Sequence, residues 1–294
     1  MTLLERLRGI SEPVICVHNG RFHADELLAL AVIKTALPDR KIVITRSREP
    51  EAWRQADLVL DVGGKDNPFD HHYFGSPRHD NGIPYAACGL VLDAIEPDAK
   101  LRRQLYVDMF YSVEWDDNTR GGEISSPNWD LKPNLLAFVP FYQPLREETV
   151  DEHTVRTYFD SALEMTCKIY KRVRQNAILK LKNRAIQDKT TYMVTNGILW
   201  LPSPTLPYAR YVYEHKEVKA VVIPENGGTF TIKCQRDPND PVPRAAFPHI
   251  MCGLGDADLE RVSRIHGLVY CSNTGDRCTA RTIKAAQQAI RLLG

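Results

Sequence analysis

The first third of the chain shows short β-branched hydrophobic runs that are separated by longer apolar segments and turn-forming residues. The β-branched runs are typical of buried strands, and the apolar segment that ends before Pro38 is typical of a buried helix. The predicted elements are strands at Val14 to Val17, Lys41 to Thr45 and Leu58 to Asp61, and helices at Asp25 to Ala36 and Pro50 to Ala56. This alternation favours parallel strands joined by right-handed crossovers. Such sheets place their functional sites at the carboxyl ends of the strands.

The rest of the chain predicts helices first and a second sheet afterwards. Helices are predicted at Pro84 to Ile95 and Leu101 to Val113, an irregular proline-rich segment at Pro127 to Pro144, and a long helix from about Asp151 to Asp188. Later come β-type runs at Met193 to Thr195, Val218 to Ile223, Phe230 to Cys234 and Val269 to Ser272, and a closing helix at Thr279 to Leu293. We therefore predict an α/β fold with two domains. Residues 1–185 hold a parallel sheet flanked by helices and a connector helix at about 151–185, and residues 186–294 form a smaller α/β domain.

Composition narrows the class of protein. The 294 residues are 43% hydrophobic and 26% charged, as in ordinary globular proteins, and the formal net charge is only +1. A broad positive surface that wraps duplex DNA is therefore not expected. The seven cysteines form no C-x-x-C pair, which disfavours zinc ribbons and disulfide frameworks and favours a reducing compartment. No apolar stretch approaches the length of a membrane helix and Met1 to Ile10 does not resemble a signal peptide, so a cytoplasmic protein with no membrane partner is expected. A short organelle-targeting segment is left open.

Imidazole and carboxylate side chains gather at the predicted strand ends. The candidates are His18, His23 and Asp25 after the first strand, Asp61 at the end of the third, the run Asp70-His71-His72, and Asp116-Asp117 at the end of a helical run. Each stretch alone is also typical of a turn, a helix end or a surface loop. Their joint occurrence at one edge of a parallel sheet predicts a metal site. His79 lies in a polar loop, is interpreted as a surface residue and is left out.

The predicted ligand types constrain the metal. Imidazoles and carboxylates without a thiolate suit Mn²⁺ best, and Mg²⁺, Co²⁺ or Zn²⁺ could substitute. A carboxylate between two ligand groups can bridge two cations about 3.5–4 Å apart. Such a pair lowers the pKa of a shared water molecule and neutralises charge on a phosphoryl oxygen. The pattern therefore predicts two divalent cations and hydrolysis of a phosphate ester.

These motifs resemble those of the DHH phosphoesterase superfamily, which is named for the motif that stands here as Asp70-His71-His72. More closely, the segments HNGRFHADELLAL, ADLVLDVGG and FDHHYFG resemble the melanocyte-proliferating-gene (Myg) family, as does GLGDADLERVSRIHGLVYCSNTG near the C-terminus. The resemblance covers nearly the whole chain. It implies a DHH-type sheet in the N-terminal domain and a metal-dependent exonuclease that acts on single-stranded RNA.

The resemblance also implies roles for individual residues. The implied metal ligands are His18, His23, Asp25, Asp61, His71 and Asp117, with Asp116 the weaker rival of Asp117. Asp61 would bridge the two cations, and His72 would be a ligand or would orient the attacking water and the phosphate. Asp61 and His72 are therefore the implied catalytic residues. His23 stands where the wider superfamily usually has an aspartate, and Asp70 would support His71 through a hydrogen bond.

Substrate contacts are predicted in the C-terminal domain. The segment Ser272 to Thr282 is expected to run from a strand through Gly275 into a helix capped by Thr279, and such a helix start with Arg281 nearby suits a phosphate. An ordinary strand–turn–helix explains the segment equally well. The resembled pattern has a histidine near Ser272, a glycine pair near Cys278-Thr279 and a lysine near Arg281, so the chain departs from it here.

Two further features leave alternatives open. The long helix carries eight basic residues between Lys168 and Lys189, which either follow a nucleic-acid strand or form a solvated face. Tyr208, Tyr211 and Tyr213 either stack on bases or pack in the fold, and Tyr211 and Tyr213 have the alternating spacing of strand residues that pack in the core or at a sheet edge. The function expected overall is exonucleolytic hydrolysis of single-stranded RNA by two-metal activation of water. The alternatives are hydrolysis of short oligonucleotides or small phosphate compounds and a non-catalytic metal- or RNA-binding module; the oligomeric state is left open.

Overall fold

Three parallel strands form the sheet that carries the predicted metal ligands. They are β1 (Val14–Val17), β2 (Val43–Arg46) and β3 (Leu58–Val59), in the order β2-β1-β3. The crossovers contain α2 (Ala24–Ala36) and α3 (Pro50–Arg54), as the hydrophobic pattern predicts. The chain passes from β1 to β2 on one side of it and then crosses to β3 on the other side of β1. Because the two connections leave in opposite directions, a crevice opens at the carboxyl ends of β1 and β3. Ligands of open α/β sheets bind in such crevices.

The computed structural model describes residues 1–119, 139–144, 150–237 and 240–294. Its internal contacts define two compact units, Met1–Leu181 and Lys182–Gly294. The α/β class predicted from the sequence is confirmed. Most of the predicted irregular segment Pro127 to Pro144 lies outside the described residues. Among the helices that the structure describes, none combines the length and apolar character needed to cross a membrane.

The sheet of the first unit packs against helices. Besides α2 and α3 they are α1 (Leu3–Arg8), α4 (Ala87–Ile95), α5 (Ala99–Leu105), α6 (Tyr111–Thr119) and α7 (Glu152–Gln187), the last of which continues into the second unit. Helix α2 is apolar on nearly every side and packs against α4, and its residues from Leu27 to Ile33 are buried. Burial of this helix also carries Asp25 and Glu26 of its first turn into the interior.

The helix predicted at Leu101 to Val113 is longer than expected and contains a π-helical turn. Helices α5 and α6 are joined by a π-helical turn at Tyr106–Phe110. A π turn accommodates one more residue than an α turn, so it rotates everything that follows relative to an uninterrupted helix. The rotated part, α6, carries Glu114 and Asp117.

The second unit contains a mixed six-stranded sheet in the order β4-β5-β6-β7-β9-β8. Its strands are β4 (Val194–Thr195), β5 (Ile198–Trp200), β6 (Ala220–Pro224), β7 (Phe230–Cys234), β8 (Leu268–Cys271) and β9 (Arg277–Ala280). Its helices are α8 (Ala209–Glu214), α9 (Asp256–Ser263) and α10 (Ile283–Ile290). Residues from α9 and α10 pack with one face of this sheet in a buried core.

Two predictions for this unit are wrong. The closing helix does not begin at Thr279, because Arg277–Ala280 is strand β9, whose alternate residues Cys278 and Ala280 point into the core. The helix begins at Ile283, and the side chain of Thr282, not that of Thr279, accepts the capping hydrogen bond from the Ala285 amide. Tyr211 and Tyr213, predicted at strand spacing, lie in helix α8.

Candidate metal centre

His18 follows β1 directly and is almost completely buried, with 1% of its surface exposed. Its Nδ1 lies 2.9 Å from the carbonyl oxygen of Asn19, an acceptor, so Nδ1 carries a hydrogen. The other ring nitrogen, Nε2, lies 3.2 Å from Oε1 of Glu26 and 3.3 Å from Oδ2 of Asp61. The backbone contact thus directs Nε2 at two carboxylates, as in histidines that bind metal through Nε2.

Asp61 stands between two groups of histidines. Its Oδ2 faces His18, whereas its Oδ1 lies 3.2 Å from Nε2 of His71 and 3.4 Å from Nδ1 of His72. The residue has a φ of 61°, in the left-handed region that few non-glycine residues adopt. Such strained backbone is concentrated at functional sites, where the surrounding structure enforces it. Here the Asp61 amide donates to the carbonyl oxygen of Phe69 at 3.0 Å, which helps to fix the turn.

His71 connects Asp61 to two further carboxylates. Its Nε2 lies 3.2 Å from Oδ2 of Asp117 and 4.0 Å from Oδ2 of Asp25. Asp25 also accepts hydrogen bonds from the first amides of helix α4, at 3.0 Å from Ala87 and 2.7 Å from Cys88. Asp25 therefore has two roles, because it caps a helix N-terminus and lines the centre.

Three overlapping sets of side chains could each hold a cation. Within each set the ligand atoms lie within 4.8 Å of one another. The sets are His18, His23, Glu26 and Asp61; Asp61, His71 and His72; and Asp25, His71 and Asp117. The first two sets share Asp61 and the last two share His71. All six residues predicted as metal ligands are therefore brought together, and His72 lies beside them.

Glu26 is a member of these sets that the sequence analysis missed. It is completely buried in the first turn of α2, where its Oε2 accepts the His23 amide at 2.8 Å and its Oε1 faces His18. A glutamate three residues after a helix start is an ordinary capping residue. The burial of Glu26 could have been predicted from its position on a helix that is apolar on nearly every side.

Two interpretations from the sequence need correction. Asp70 does not support His71: its Oδ1 accepts the His72 amide at 3.1 Å and lies 2.8 Å from Nδ1 of His72, while its Oδ2 accepts the Gly64 amide at 2.6 Å. His79 is not a surface residue, because its side chain is 6% exposed and its Nε2 lies 2.8 Å from Oε2 of the buried Glu114. A polar loop sequence suggested exposure, but the loop folds onto Tyr85, Tyr106 and Tyr111.

The exposed part of the centre is formed by His23 and His72, whose side chains are 52% and 58% exposed. Nδ1 of His23 lies 3.9 Å from Oδ1 of Asp117. Of the two neighbouring aspartates, Asp117 is the one whose carboxylate reaches His71 and His23. The buried ligands thus lie at the bottom of the centre and these two histidines at its rim.

The many carboxylates perturb the acid–base behaviour of the centre. Burial alone would lower the pKa of His18, but the carboxylates of Asp61 and Glu26 beside its ring outweigh burial and raise that pKa to about 10. Burial likewise opposes protonation of His71, but the carboxylates of Asp117 and Asp61 beside its ring raise its pKa to about 11. Burial, together with the charges of Asp61 and Asp117, raises the pKa of Asp25 well above its ordinary value. Such a concentration of negative charge calls for protons or cations.

The residues present fit divalent cations. Among the described residues, eight buried side-chain polar atoms have no partner in hydrogen-bond geometry, and four of them lie in this centre: Nε2 of His18, Oε1 of Glu26, Oδ1 of Asp61 and Nε2 of His71. Buried polar atoms in native proteins are nearly always satisfied, so these four atoms call for a ligand between them. Two atoms that bind one ion at roughly 2.1 Å lie about 3.0–3.5 Å apart. Nε2 of His18 lies 3.2 Å from Oε1 of Glu26 and 3.3 Å from Oδ2 of Asp61, which matches that spacing.

The predicted substrate residues of the second unit do not form such a cluster. Arg281 donates to Oδ1 of Asp256 at 2.7 Å, and both side chains are exposed. Gly275 has a φ of 65° and a Cβ there would lie 2.9 Å from the Phe247 carbonyl oxygen, so the turn itself requires a glycine at this position. Thr279 lies in β9, opposite Thr231 and Tyr270.

Fold and centre together define an α/β protein with a histidine- and carboxylate-rich site suited to divalent cations. The chain belongs to the MYG1 exonuclease family: residues 14–292 match the family model MYG1_exonuc, which is described as an uncharacterised protein family (UPF0160). This membership confirms the resemblance inferred from the sequence motifs.

Named relatives agree with this membership. The chain is 42% identical over 308 residues to the MYG1 exonuclease of Bos taurus, which spans 90% of this chain and 80% of that protein. It is 39% identical over 325 residues to a MYG1 protein of Saccharomyces cerevisiae, with 95% and 94% covered. It is 24% identical over 313 residues to the human MYG1 exonuclease, with 92% and 82% covered.

Among solved structures, RecJ of Thermus thermophilus in complex with Mn²⁺ matches with a TM-score of 0.29 and 12% identity, covering 99% of this chain and 53% of that one. A likeness at this level carries no further conclusion.

Proposed function

We propose that this protein is a metal-dependent exonuclease that hydrolyses phosphodiester bonds of single-stranded RNA at a centre for two divalent cations. The observation that carries the proposal is the placement of Asp61, whose two carboxylate oxygens face different histidine groups. Its Oδ2 lies 3.3 Å from His18 and its Oδ1 lies 3.2 Å from His71. A carboxylate in that position suits a bridge between two cations.

The ligands divide into two groups around this bridge. His18, Glu26, His23 and Asp61 would hold one cation, and Asp61, His71, Asp25 and Asp117 the other. Imidazole and carboxylate ligands without a thiolate favour Mn²⁺, with Mg²⁺ as the alternative. A bound pair of cations would supply a water molecule of lowered pKa and positive charge for the phosphoryl oxygens.

His72 is the residue best placed to act on the substrate. Its side chain is exposed, and Nδ1 is fixed 2.8 Å from Oδ1 of Asp70. Asp70 is in turn held by the Gly64 amide at 2.6 Å, so the ring has a defined orientation. The hydrogen bond to Asp70 raises the pKa of His72, which favours the charged ring. We assign to His72 the orientation of the phosphate and the donation of a proton to the leaving oxygen.

A cavity beside the centre offers space for an anionic substrate. It has a volume of about 1000 Å³ and begins at Asn19 and Gly20, directly after His18. Its lining also includes Arg21, Arg46 and Arg156. Arginines in a concave site suit phosphate groups, because their planar donors match phosphate oxygens. Two of these arginines also hold the fold, since Arg46 donates to the Gly20 carbonyl oxygen and Arg156 to that of Ile44.

Family membership supports the nuclease activity, since relatives from cattle and humans bear the name exonuclease. The choice of RNA rests on the resemblance of the sequence motifs. We assign further substrate contacts to the second unit, where Arg281, Gly275 and Thr279 remain the proposed residues. Arg281 would exchange its partner Asp256 for a phosphate.

The test combines metal analysis with turnover. The purified protein is expected to bind two Mn²⁺ per chain and to shorten an end-labelled RNA of about 20 nucleotides stepwise. Asp61→Asn should abolish turnover and reduce the bound metal, because the bridge is lost. Asp66→Asn, in the same loop but exposed, is the matched control and should behave as the wild type.

Other outcomes would redirect the proposal. Activity on dinucleotides or small phosphate esters but not on the longer RNA would favour a small-substrate phosphohydrolase, with which the net charge of +1 is compatible. Bound metal without hydrolysis of any of these substrates would favour a non-catalytic module.

A further inference from the structure

One face of the second sheet is buried against helix α8 over β5 and β6, but over β7, β9 and β8 it is open and carries basic, hydroxyl and aromatic side chains. Strands β7, β9 and β8 turn Ile232, Cys234, Cys278, Ala280 and Cys271 into the core. Because side chains alternate along a strand, the opposite face presents a second set that is exposed or half-buried. This open face consists of Thr231 and Lys233 of β7, Arg277 and Thr279 of β9, and Tyr270 of β8.

Two like charges stand directly opposite each other on this open face. Lys233 and Arg277 are register partners in the antiparallel pair of β7 and β9. Like charges in that position destabilise a sheet. Among the described residues, no carboxylate lies within 4.0 Å of the charged group of Lys233 or Arg277. Nearby Arg236, Arg244 and Arg281, in contrast, each form an ion pair with a carboxylate. No ion pair therefore offsets the repulsion, and an anion between the two cations would relieve it.

An aromatic ring lies next to this pair. Tyr270 is 44% exposed and is the register partner of Thr279, two residues along β9 from Arg277. Two residues along a strand span roughly 7 Å. None of the five residues of the open face is acidic. A cation pair, hydroxyl groups and an exposed ring side by side are what a nucleotide needs for its phosphate and its base.

We infer that the open face binds single-stranded nucleic acid, with a backbone phosphate between Lys233 and Arg277 and a base stacked on Tyr270. Thr231 and Thr279 offer hydroxyl groups to the same strand. The inference deepens the proposed function, because it names the surface of the second unit that holds the strand. It rests on that function, since the bound strand is a substrate only if the protein is a nuclease. Stacking and phosphate contacts are tolerant of sequence, so binding is expected to depend little on base identity.

The test measures binding without turnover. Fluorescence anisotropy of the full chain with a labelled single-stranded RNA of about 20 nucleotides, in EDTA, gives Kd over a series of salt concentrations. Tyr270→Ala should weaken binding about 5- to 100-fold, whereas Tyr270→Phe keeps the ring and should bind as the wild type. The double variant Lys233→Gln/Arg277→Gln should weaken binding and reduce the salt slope of log K by about 0.7, because one phosphate is no longer neutralised.

The matched control is Lys284→Gln, which removes one exposed charge from helix α10 and should leave Kd and the salt slope nearly unchanged. Wild-type values for both Tyr270→Ala and the double variant would overturn the inference, as would a wild-type protein that does not bind the RNA. Hydrolysis of bis-p-nitrophenyl phosphate with Mn²⁺ reports on the metal centre separately. If the wild type fails to hydrolyse it or RNA while RNA binding depends on the open face, the proposed function falls and the binding surface stands.

Discussion

Nε2 of His79 lies 2.8 Å from Oε2 of Glu114, and both side chains are buried beneath Tyr85, Tyr106 and Tyr111. Burial lowers the pKa of His79 to about 4 and raises that of Glu114 well above its ordinary value. Burial thus favours the uncharged form of both groups, in which the carboxyl group of Glu114 donates to His79 while its Oε1 accepts the Ala86 amide at 3.1 Å.

This neutral pair leads to a prediction for Glu114→Gln. Between pH 6.5 and 4.5 the unfolded pair holds one proton on the histidine, and the folded pair holds one on the glutamate, so wild-type folding exchanges no net proton here. Glutamine keeps the hydrogen bonds but removes the folded proton. The variant should therefore lose stability relative to the wild type as pH falls from 6.5, by about 1.4 kcal/mol per pH unit. Urea unfolding at several pH values measures this, and parallel profiles would contradict it.

Gly89→Ala tests the packing around the same glutamate. A Cβ at Gly89 would lie 1.9 Å from Oε1 of Glu114 and 3.1 Å from the Tyr106 hydroxyl. Because these groups are buried and hydrogen-bonded, we expect a loss of about 1–3 kcal/mol in the free energy of unfolding. Gly227→Ala is the control, since its Cβ would have no heavy atom within 4 Å. Equal stability of the two variants would contradict this expectation, because it would mean that Glu114 and Tyr106 can move to accommodate the added methyl group.

Metal binding should release protons. The pKa values of about 10 for His18 and about 11 for His71 mean that both rings are charged at pH 7 in the absence of cations. A cation must displace these protons, so affinity should rise with pH, and about two protons should be released per chain at neutral pH. Calorimetric titration with Mn²⁺ in buffers of different ionisation enthalpy counts them. A heat of binding that is independent of the buffer would contradict the assignment of both rings as ligands.

Asp25 and Asp117 offer a comparison between two proposed ligands. Asp25→Asn should destabilise the fold by about 1–3 kcal/mol even in EDTA, because an amide group has only one oxygen for the two α4 amides. Asp117→Asn should leave stability in EDTA nearly unchanged, since its contacts are to His71 and His23. Both variants should bind Mn²⁺ more weakly than the wild type. Thermal unfolding with and without Mn²⁺ separates the two effects, and equal stability in EDTA would argue against the capping role of Asp25.

The sequence predicted the parallel sheet and most of its centre, because strand periodicity is local and ligand residues cluster at strand ends. Glu26 was not predicted as a ligand because a capping glutamate and a buried ligand give the same sequence pattern. His79 was misassigned because its burial depends on tyrosines that are distant along the chain. Thr279 fits both a helix cap and a strand, and only pairing with Thr231 and Tyr270 distinguishes the two.

The π-helical turn at Tyr106–Phe110 has a consequence for how insertions and deletions act on this protein. Each residue of an α-helix advances the chain by about 100°. A π turn spreads one extra residue over nearly the rotation of a regular turn. Removing one residue from Tyr106–Phe110 should therefore restore a regular helix and leave Glu114 and Asp117 facing their present partners. Inserting a second residue there, or forcing the five residues into α-helical form, should instead turn Glu114 and Asp117 together away from both the buried neutral pair and the metal centre.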